Sequence, residues 1–351
     1  MARLEAHYET VRERNGYDRA SGVDWLSDAG LARRFVAVDG RAAVEAARAR
    51  ETIVCMGVGM TGPPHLGTVG QLLTGVELQG AGLEVQFVLA DLEPYHGGAD
   101  LSRVRRLAER YREFALDLGF DPKQGTLRTQ EEARKVMHTA ELLAPYYAPE
   151  AWDDDGSDAP ETDWETAVRA LYEEGTGGER TDGTGPDETG RPSEAAGAHS
   201  AVLHGADFLH PLHAEDYEQV IVALGVDEHE LTPWTRRFHD AAPVEGTVAG
   251  LHSRIVPGFG TVPKMSKSVG AGVSLETTGE AVPRRFESAA DGGDPAASAT
   301  FQAMCLASRY DPGELDRLAA LCVAGGEEWT EAKREYAAYV ARLAERWRST
   351  V

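Results

Sequence analysis

Lysine is what this sequence has least of among its charged residues. Its 351 residues hold five lysines (Lys123, Lys135, Lys264, Lys267 and Lys333) against 30 arginines. Long hydrophobic runs are also missing. No stretch of 18 apolar residues occurs, which excludes a transmembrane helix of ordinary length. The opening "MARLEAHYETVRERNGYDR" is charged throughout and has no apolar core, so it does not read as a secretory signal. The three cysteines, Cys55, Cys305 and Cys322, are too far apart for a disulfide framework or a zinc site, and a reducing cytoplasm is the expected compartment. No internal repeat is visible.

What is abundant is negative charge, with 58 acidic residues and a formal net charge of -23. Two readings of that charge are open. One is a protein that repels nucleic acid. The other, favoured here, is adaptation to a salt-rich cytoplasm: the acids are dispersed along the chain and arginine replaces lysine. At molar salt the Debye length is only about 3 Å, so self-repulsion is screened. A nucleic-acid partner would then need specific contacts, because salt weakens phosphate contacts steeply.

Residues 1–50 read as helical. "TIVCMGV" (52–58) is an apolar, β-branched run expected to be a buried strand. The loop "GMTGPPHLGT" (59–68) follows, then a helix over 69–82 that ends at glycine. A strand is expected over 84–95 and a long amphipathic helix over 99–120. Alternating strand and helix argue for a parallel sheet with right-handed crossovers. Residues 151–200 break the pattern. They are acidic, glycine-rich and poor in large apolar groups, and most of this insertion is expected to be disordered. "WETAVRALYEE" within it reads as a short helix. Order resumes with a helix at 199–210, a strand at 218–226 and a helix at 228–241. The end of the chain, 293–350, reads as helical and closes on an antiparallel helix pair.

Two loops carry the chemistry. In the first, Gly59, Gly62 and Gly67 let backbone approach a ligand. The loop leaves a strand and enters a helix N-terminus, where free N–H groups favour phosphate. His65 is placed to donate to a phosphate oxygen. The bland reading, a common turn with an incidental histidine, is the stronger one for this loop taken alone. In the second, Gly258, Gly260 and Gly270 flank "KMSKS" (264–268). Two of the five lysines stand there three residues apart. A lysine on a mobile loop can follow a phosphate as charge shifts, and a cation met only in the transition state accelerates chemistry. Two solvated surface lysines would be the alternative, a coincidence in so lysine-poor a chain.

"PHLGT" followed some 200 residues later by "KMSKS" resembles the signature pair of class I aminoacyl-tRNA synthetases. "LADLEPY" (89–95), "LHGADFL" (203–209) and "LGVDEHELTPWTR" (224–236) are similar to segments of the tryptophan and tyrosine branch. "LHSRIVPGFGTVPKMSKS" looks most like archaeal-type tryptophanyl enzymes, and the resemblance covers most of residues 35–350. It implies an α/β fold with a Rossmann-like parallel sheet and a small C-terminal helical domain. The units implied are 1–150, the N-terminal helices and first half of the catalytic domain; 151–200, the insertion; 201–285, the second half with the KMSKS loop; and 286–351, a helical domain on the tRNA side.

The activity implied is ATP-dependent activation of an aromatic amino acid, tryptophan favoured, and its transfer to tRNA, by a homodimer without membrane association. His65, Lys264 and Lys267 would be catalytic. Gly59, Gly62, His65, Gly67, Thr68, Asp227, Met265, Ser266 and Ser268 would bind ATP, with Mg2+ on its phosphates. His204, Asp207 and Glu228 would face the amino acid. The pattern is departed from at three places. Thr68 stands where a second histidine is usual, and His204 and Glu228 each replace a glutamine, so a neutral donor–acceptor becomes a carboxylate at 228. Tyrosyl specificity, a non-charging paralogue with a regulatory or tRNA-binding role, and another adenylate-forming enzyme are the alternatives. Arg334, Arg342, Arg346 and Arg348 read either as tRNA contacts or, slightly preferred, as a solvated face balanced by neighbouring glutamates.

Overall fold

The computed structural model describes residues 2–148, 161–175, 194–260, 262–266, 272–277, 281–289 and 292–350. Six strands form one sheet: β1 (Phe35–Asp39), β2 (Thr52–Gly59), β3 (Glu84–Ala90), β4 (Gly125–Thr129), β5 (Gln219–Gly225) and β6 (Thr247–Ser253). Their order is β1-β6-β5-β2-β3-β4, with β1 antiparallel and every other pairing parallel. The chain moves outward from β2 through β3 to β4, then returns to lay β5 on the other side of β2. The direction of winding therefore reverses between β2 and β5, and a crevice opens there at the carboxyl ends of the strands.

Both faces of the sheet are covered, which explains why its central strands read as continuous apolar runs. Val54, Met56, Val85, Phe87, Ile221 and Leu251 face one core; Ile53, Cys55, Val220, Val222 and Val248 face the other. Helices Leu66–Gly80 and Leu101–Asp117 cover the first face. The C-terminal helices Ala299–Leu306, Pro312–Ala324 and Gly326–Ser349 share that core, where Trp347 packs edge-on against Tyr111 and Phe114. Helices Arg134–Leu143, Glu194–Ala214 and Leu231–Ala241 cover the second face. Among the described residues, no helix is long and apolar enough to cross a membrane.

Several expectations need correction. Residues 1–50 are not wholly helical: Phe35–Asp39 forms β1, because its five residues are all buried and pair with β6. The strand expected over 84–95 stops at Ala90, and helix Leu92–His96 follows. Two strands, β4 and β6, were not expected. The helix placed at 199–210 runs Glu194–Ala214, so it enters the insertion, as does helix Asp163–Gly175. The rest of the stretch expected to be disordered lies outside the described residues.

Candidate active site

The first loop rises from the end of β2. His65 is the N-cap of helix Leu66–Gly80, and its Nδ1 accepts from the Thr68 backbone N–H at 3.2 Å. That cap satisfies one of the free N–H groups of the helix start and fixes the ring beside it. Gly67 leaves room for that ring: a Cβ there would sit 2.8 Å from it and the ring would have to shift. Thr68 is 3% exposed but reaches the cavity wall. Gly62 takes a supporting place, its carbonyl accepting from the Tyr111 hydroxyl at 3.0 Å.

The second loop is stitched to the first. Residues 273–275 run beside Pro64–Leu66, with backbone bonds from Leu66 to Val273 and from Leu275 to Pro64. Met265 is 4% exposed, and its N–H donates to Val256. Gly272 allows this, having φ +104 and space for no Cβ, which would come within 2.5 Å of Met265. Lys264 Nζ donates to Asp227 Oδ2 at 2.7 Å. Lys267 and Ser268 lie outside the described residues.

A cavity of about 340 Å³ lies between the loops. Its walls include Gly59, His65, Gly67, Thr68, Asp227, Glu228, Lys264, Met265 and Ser266, so most of the residues singled out from sequence meet in one place. Gln71 and Arg254 line it too and were missed. Gln71 donates to Ser253 Oγ at 2.7 Å, and Arg254 is held by the Ala32 carbonyl.

Gly57, Val58, Gly59, Glu93, Leu224 and Glu228 also line a second, inner cavity of about 90 Å³, whose other walls are Met56, Val88, Ala90, His204, Asp207, Phe208 and Leu231. A buried polar network backs it. His204 Nδ1 lies 3.0 Å from Glu93 Oε1, and Gln130 Nε2 bridges Glu93 Oε1 at 2.9 Å and Asp207 Oδ2 at 2.8 Å. Arg128 Nη2 stands 2.8 Å from Asp207 Oδ1, close enough for an ion pair but off the hydrogen-bond line. Glu93, Arg128 and Gln130 were also missed. Glu93 alone had a signal, as one of the two acids that follow the apolar β3 in the quoted "LADLEPY".

The charges compensate in pairs. Burial opposes ionisation of both Glu93 and His204, yet their mutual attraction wins, holding Glu93 below the usual carboxylate range and His204 above the usual imidazole value. Burial raises Asp207 despite Arg128 beside it. Lys264 and His204 pull Glu228 towards the carboxylate form, but not enough to win. Its depth in the fold and the neighbouring Asp227 charge push it up to about 7, although its surface faces the open cavity.

Residues 47–147 match the family model described as "tRNA synthetases class I (W and Y)". The matched stretch makes up less than a third of the chain. A tryptophan–tRNA ligase of Methanopyrus kandleri is 30% identical over 223 residues, which span 61% of this chain and half of that relative. The fold matches a tryptophanyl-tRNA synthetase from Aeropyrum pernix K1 with a TM-score of 0.68 at 20% identity, over 99% of this chain and 91% of that one. It also matches a tyrosyl-tRNA synthetase from Archaeoglobus fulgidus, solved with L-tyrosine, with a TM-score of 0.63 at 16% identity, over 97% and 98% of the two chains. The fold is thus common to both specificities. Among the described residues, no group of three or more His, Cys, Asp or Glu is arranged to hold a metal ion.

Proposed function

We propose that this chain activates an amino acid with ATP, tryptophan favoured, and passes the aminoacyl group to tRNA. The supporting observation is the outer cavity, in which His65, Gly67 and Thr68 face Lys264 and Asp227, with the inner one beside it walled by Glu93, Asp207 and Glu228. In this reading, His65, Gly59, Gly67 and the start of helix Leu66–Gly80 bind the ATP phosphates, and Asp227 takes the ribose hydroxyls once Lys264 leaves it. The amino-acid carboxylate attacks the α-phosphate in line. Lys264 and Lys267 stabilise the departing pyrophosphate, with Ser266 and Ser268 assisting. Magnesium would be held by the phosphates and water rather than by a protein cage.

The indole N–H is a donor only, and the inner pocket answers it with carboxylate acceptors at Glu93 and Asp207. A phenol could use the same acceptors, so this chemistry alone does not separate tyrosine. The inner pocket is also smaller than the roughly 150 Å³ that accommodates benzene. An indole enters only if the wall at Glu228 or Leu231 moves outward, and that observation supports a second reading, a smaller amino acid. ATP–pyrophosphate exchange in molar KCl with each of the twenty amino acids decides. Exchange with tryptophan alone supports the first reading, exchange with another acid replaces the substrate, and none in folded protein favours a non-charging paralogue. The described C-terminal arginines give little support to a tRNA face there, since Arg334 pairs with Glu287 and Glu331, and Arg346 with Asp117. A homodimer, in a cytoplasmic setting, is part of the proposal; sedimentation checks the dimer.

Glu228 gives this proposal a pH signature. An incoming α-ammonium needs the carboxylate form. Below pH 7 Glu228 is largely protonated, so KM for the amino acid should rise about tenfold per unit as pH falls from 7. Glu228→Gln should remove that slope. Exchange kinetics between pH 6 and 8.5 measure it, and equal slopes in both proteins would refute the role.

A further inference from the structure

The catalytic loop has a neighbour that its own sequence does not announce. Helix Asp163–Gly175, part of the acidic insertion, lies against helix Ala2–Asn15. Its start is built with care. Thr162 and Glu165 cap each other reciprocally, the Thr162 N–H donating to the Glu165 carboxylate and the Glu165 N–H to Thr162 Oγ1. Thr162 Oγ1 also lies 3.2 Å from His7 Nδ1, and Arg14 is 3.5 Å from Glu165. Between these contacts Trp164 is 5% exposed and stacks on the His7 ring, itself 2% exposed, with centroids 4.3 Å apart. The remaining polar atom of Trp164, Nε1, donates to the carbonyl of Pro263 at 3.3 Å.

Pro263 immediately precedes Lys264. It has no N–H, so its carbonyl is the backbone handle this residue offers. The next fixed points are Lys264 on Asp227 and the Met265 N–H on Val256. We propose that Trp164 is a positioning residue for adenylate formation: by holding the Pro263 carbonyl it sets the direction from which Lys264 enters the cavity. The inference rests on the functional reading above. The insertion helix then has a definite job, anchoring one side of a loop whose cation must arrive in place in the transition state. An unanchored loop spends conformational entropy at that moment.

Trp164→Phe keeps a ring on His7 and removes the N–H. Loss of one neutral hydrogen bond at the loop root should lower kcat of pyrophosphate exchange about three- to tenfold, with KM for the amino acid unchanged. Amide hydrogen exchange in the peptide covering residues 255–270 should quicken with no substrate present. Thr162→Ala loosens the same helix without touching Pro263 and should reproduce only a small part of both effects. Unchanged loop exchange in Trp164→Phe overturns the inference, as does Thr162→Ala reproducing the effect in full, or a rise in amino-acid KM that matches the fall in kcat. If wild type shows no pyrophosphate exchange at all, the functional reading fails. The hydrogen-exchange comparison then decides the anchor on its own: faster exchange sustains it and unchanged exchange removes it.

Discussion

Lys264→Ala is expected to cut the rate of ATP–pyrophosphate exchange by a hundredfold or more while the protein stays folded. The magnitude follows from what the ammonium is asked to do. A preorganised group meeting charge that develops on the departing pyrophosphate is typically worth about 10²–10³ in rate. The loss should fall on kcat, because in the resting structure Lys264 is engaged with Asp227 at 2.7 Å rather than held open for ATP. Removing the lysine frees Asp227 for the ribose, so KM for ATP should change little. The pair is partly exposed, so breaking it costs little stability. Lys264→Arg should recover only a minor part, since a planar guanidinium on a longer stem cannot occupy the place of a compact ammonium on a tightly rooted loop. Steady-state exchange kinetics, with equilibrium dialysis of ATP, separate these effects. A variant with near-normal kcat would end the proposed role.

The outer part of the site was legible because its residues are unusual in their own sequence context. Two lysines in so lysine-poor a chain, and glycines around a lone histidine at a strand-to-helix junction, mark themselves. The inner part was not legible in the same way. Gln130 and Asp207 are 77 residues apart and Glu93 and His204 are 111 apart. Each alone is an ordinary polar residue; only the parallel sheet, which carries β3 and β4 to one side of β2, makes them a network. Arg128 carries no signal in the sequence, and in the fold it is buried, with Asp207 of helix Glu194–Ala214 beside it. The anchoring Trp164 opens the short helix read at "WETAVRALYEE", but a single aromatic in a sequence does not announce which partner it meets.

Strands were missed for equally concrete reasons. β4 is a short edge strand with one large apolar residue, Leu127, so no periodicity can show. β6 is interrupted by Gly250, where a Cβ would lie 2.9 Å from both Thr232 Oγ1 and His252 Nε2. The glycine that the packing demands is what weakens the strand signal. β1 is a four-residue apolar run closed by Asp39 inside a helix-rich stretch, and pairs with β6 in the one antiparallel register of the sheet. Where strands are long, buried on both faces and rich in valine, as in β2 and β5, composition sufficed.

Acid should unfold this protein well before its carboxylates are protonated. Four histidines are held neutral by burial. His252, flanked by Tyr17 and His229, is depressed to about 3, and His7, His210 and His229 to about 4. In the unfolded chain each titrates near 6.5. A folded value below the unfolded one means that the unfolded state takes up protons first, so the stability these groups contribute is present above pH 6.5 and lost as pH falls towards 4. Each histidine costs up to about 1.4 kcal/mol per pH unit in that window. At pH 5.5 the four together remove roughly 5–6 kcal/mol, a large share of the 5–15 kcal/mol that usually holds a fold. Melting temperature at fixed high salt should therefore be level from pH 8 to 7 and fall steeply below 6.5, with loss of the folded state near pH 5. His252→Asn should shift the fall to lower pH, because one proton-binding group of the unfolded state is gone. A melting temperature that stays level down to pH 5 would show that these imidazoles are not held neutral.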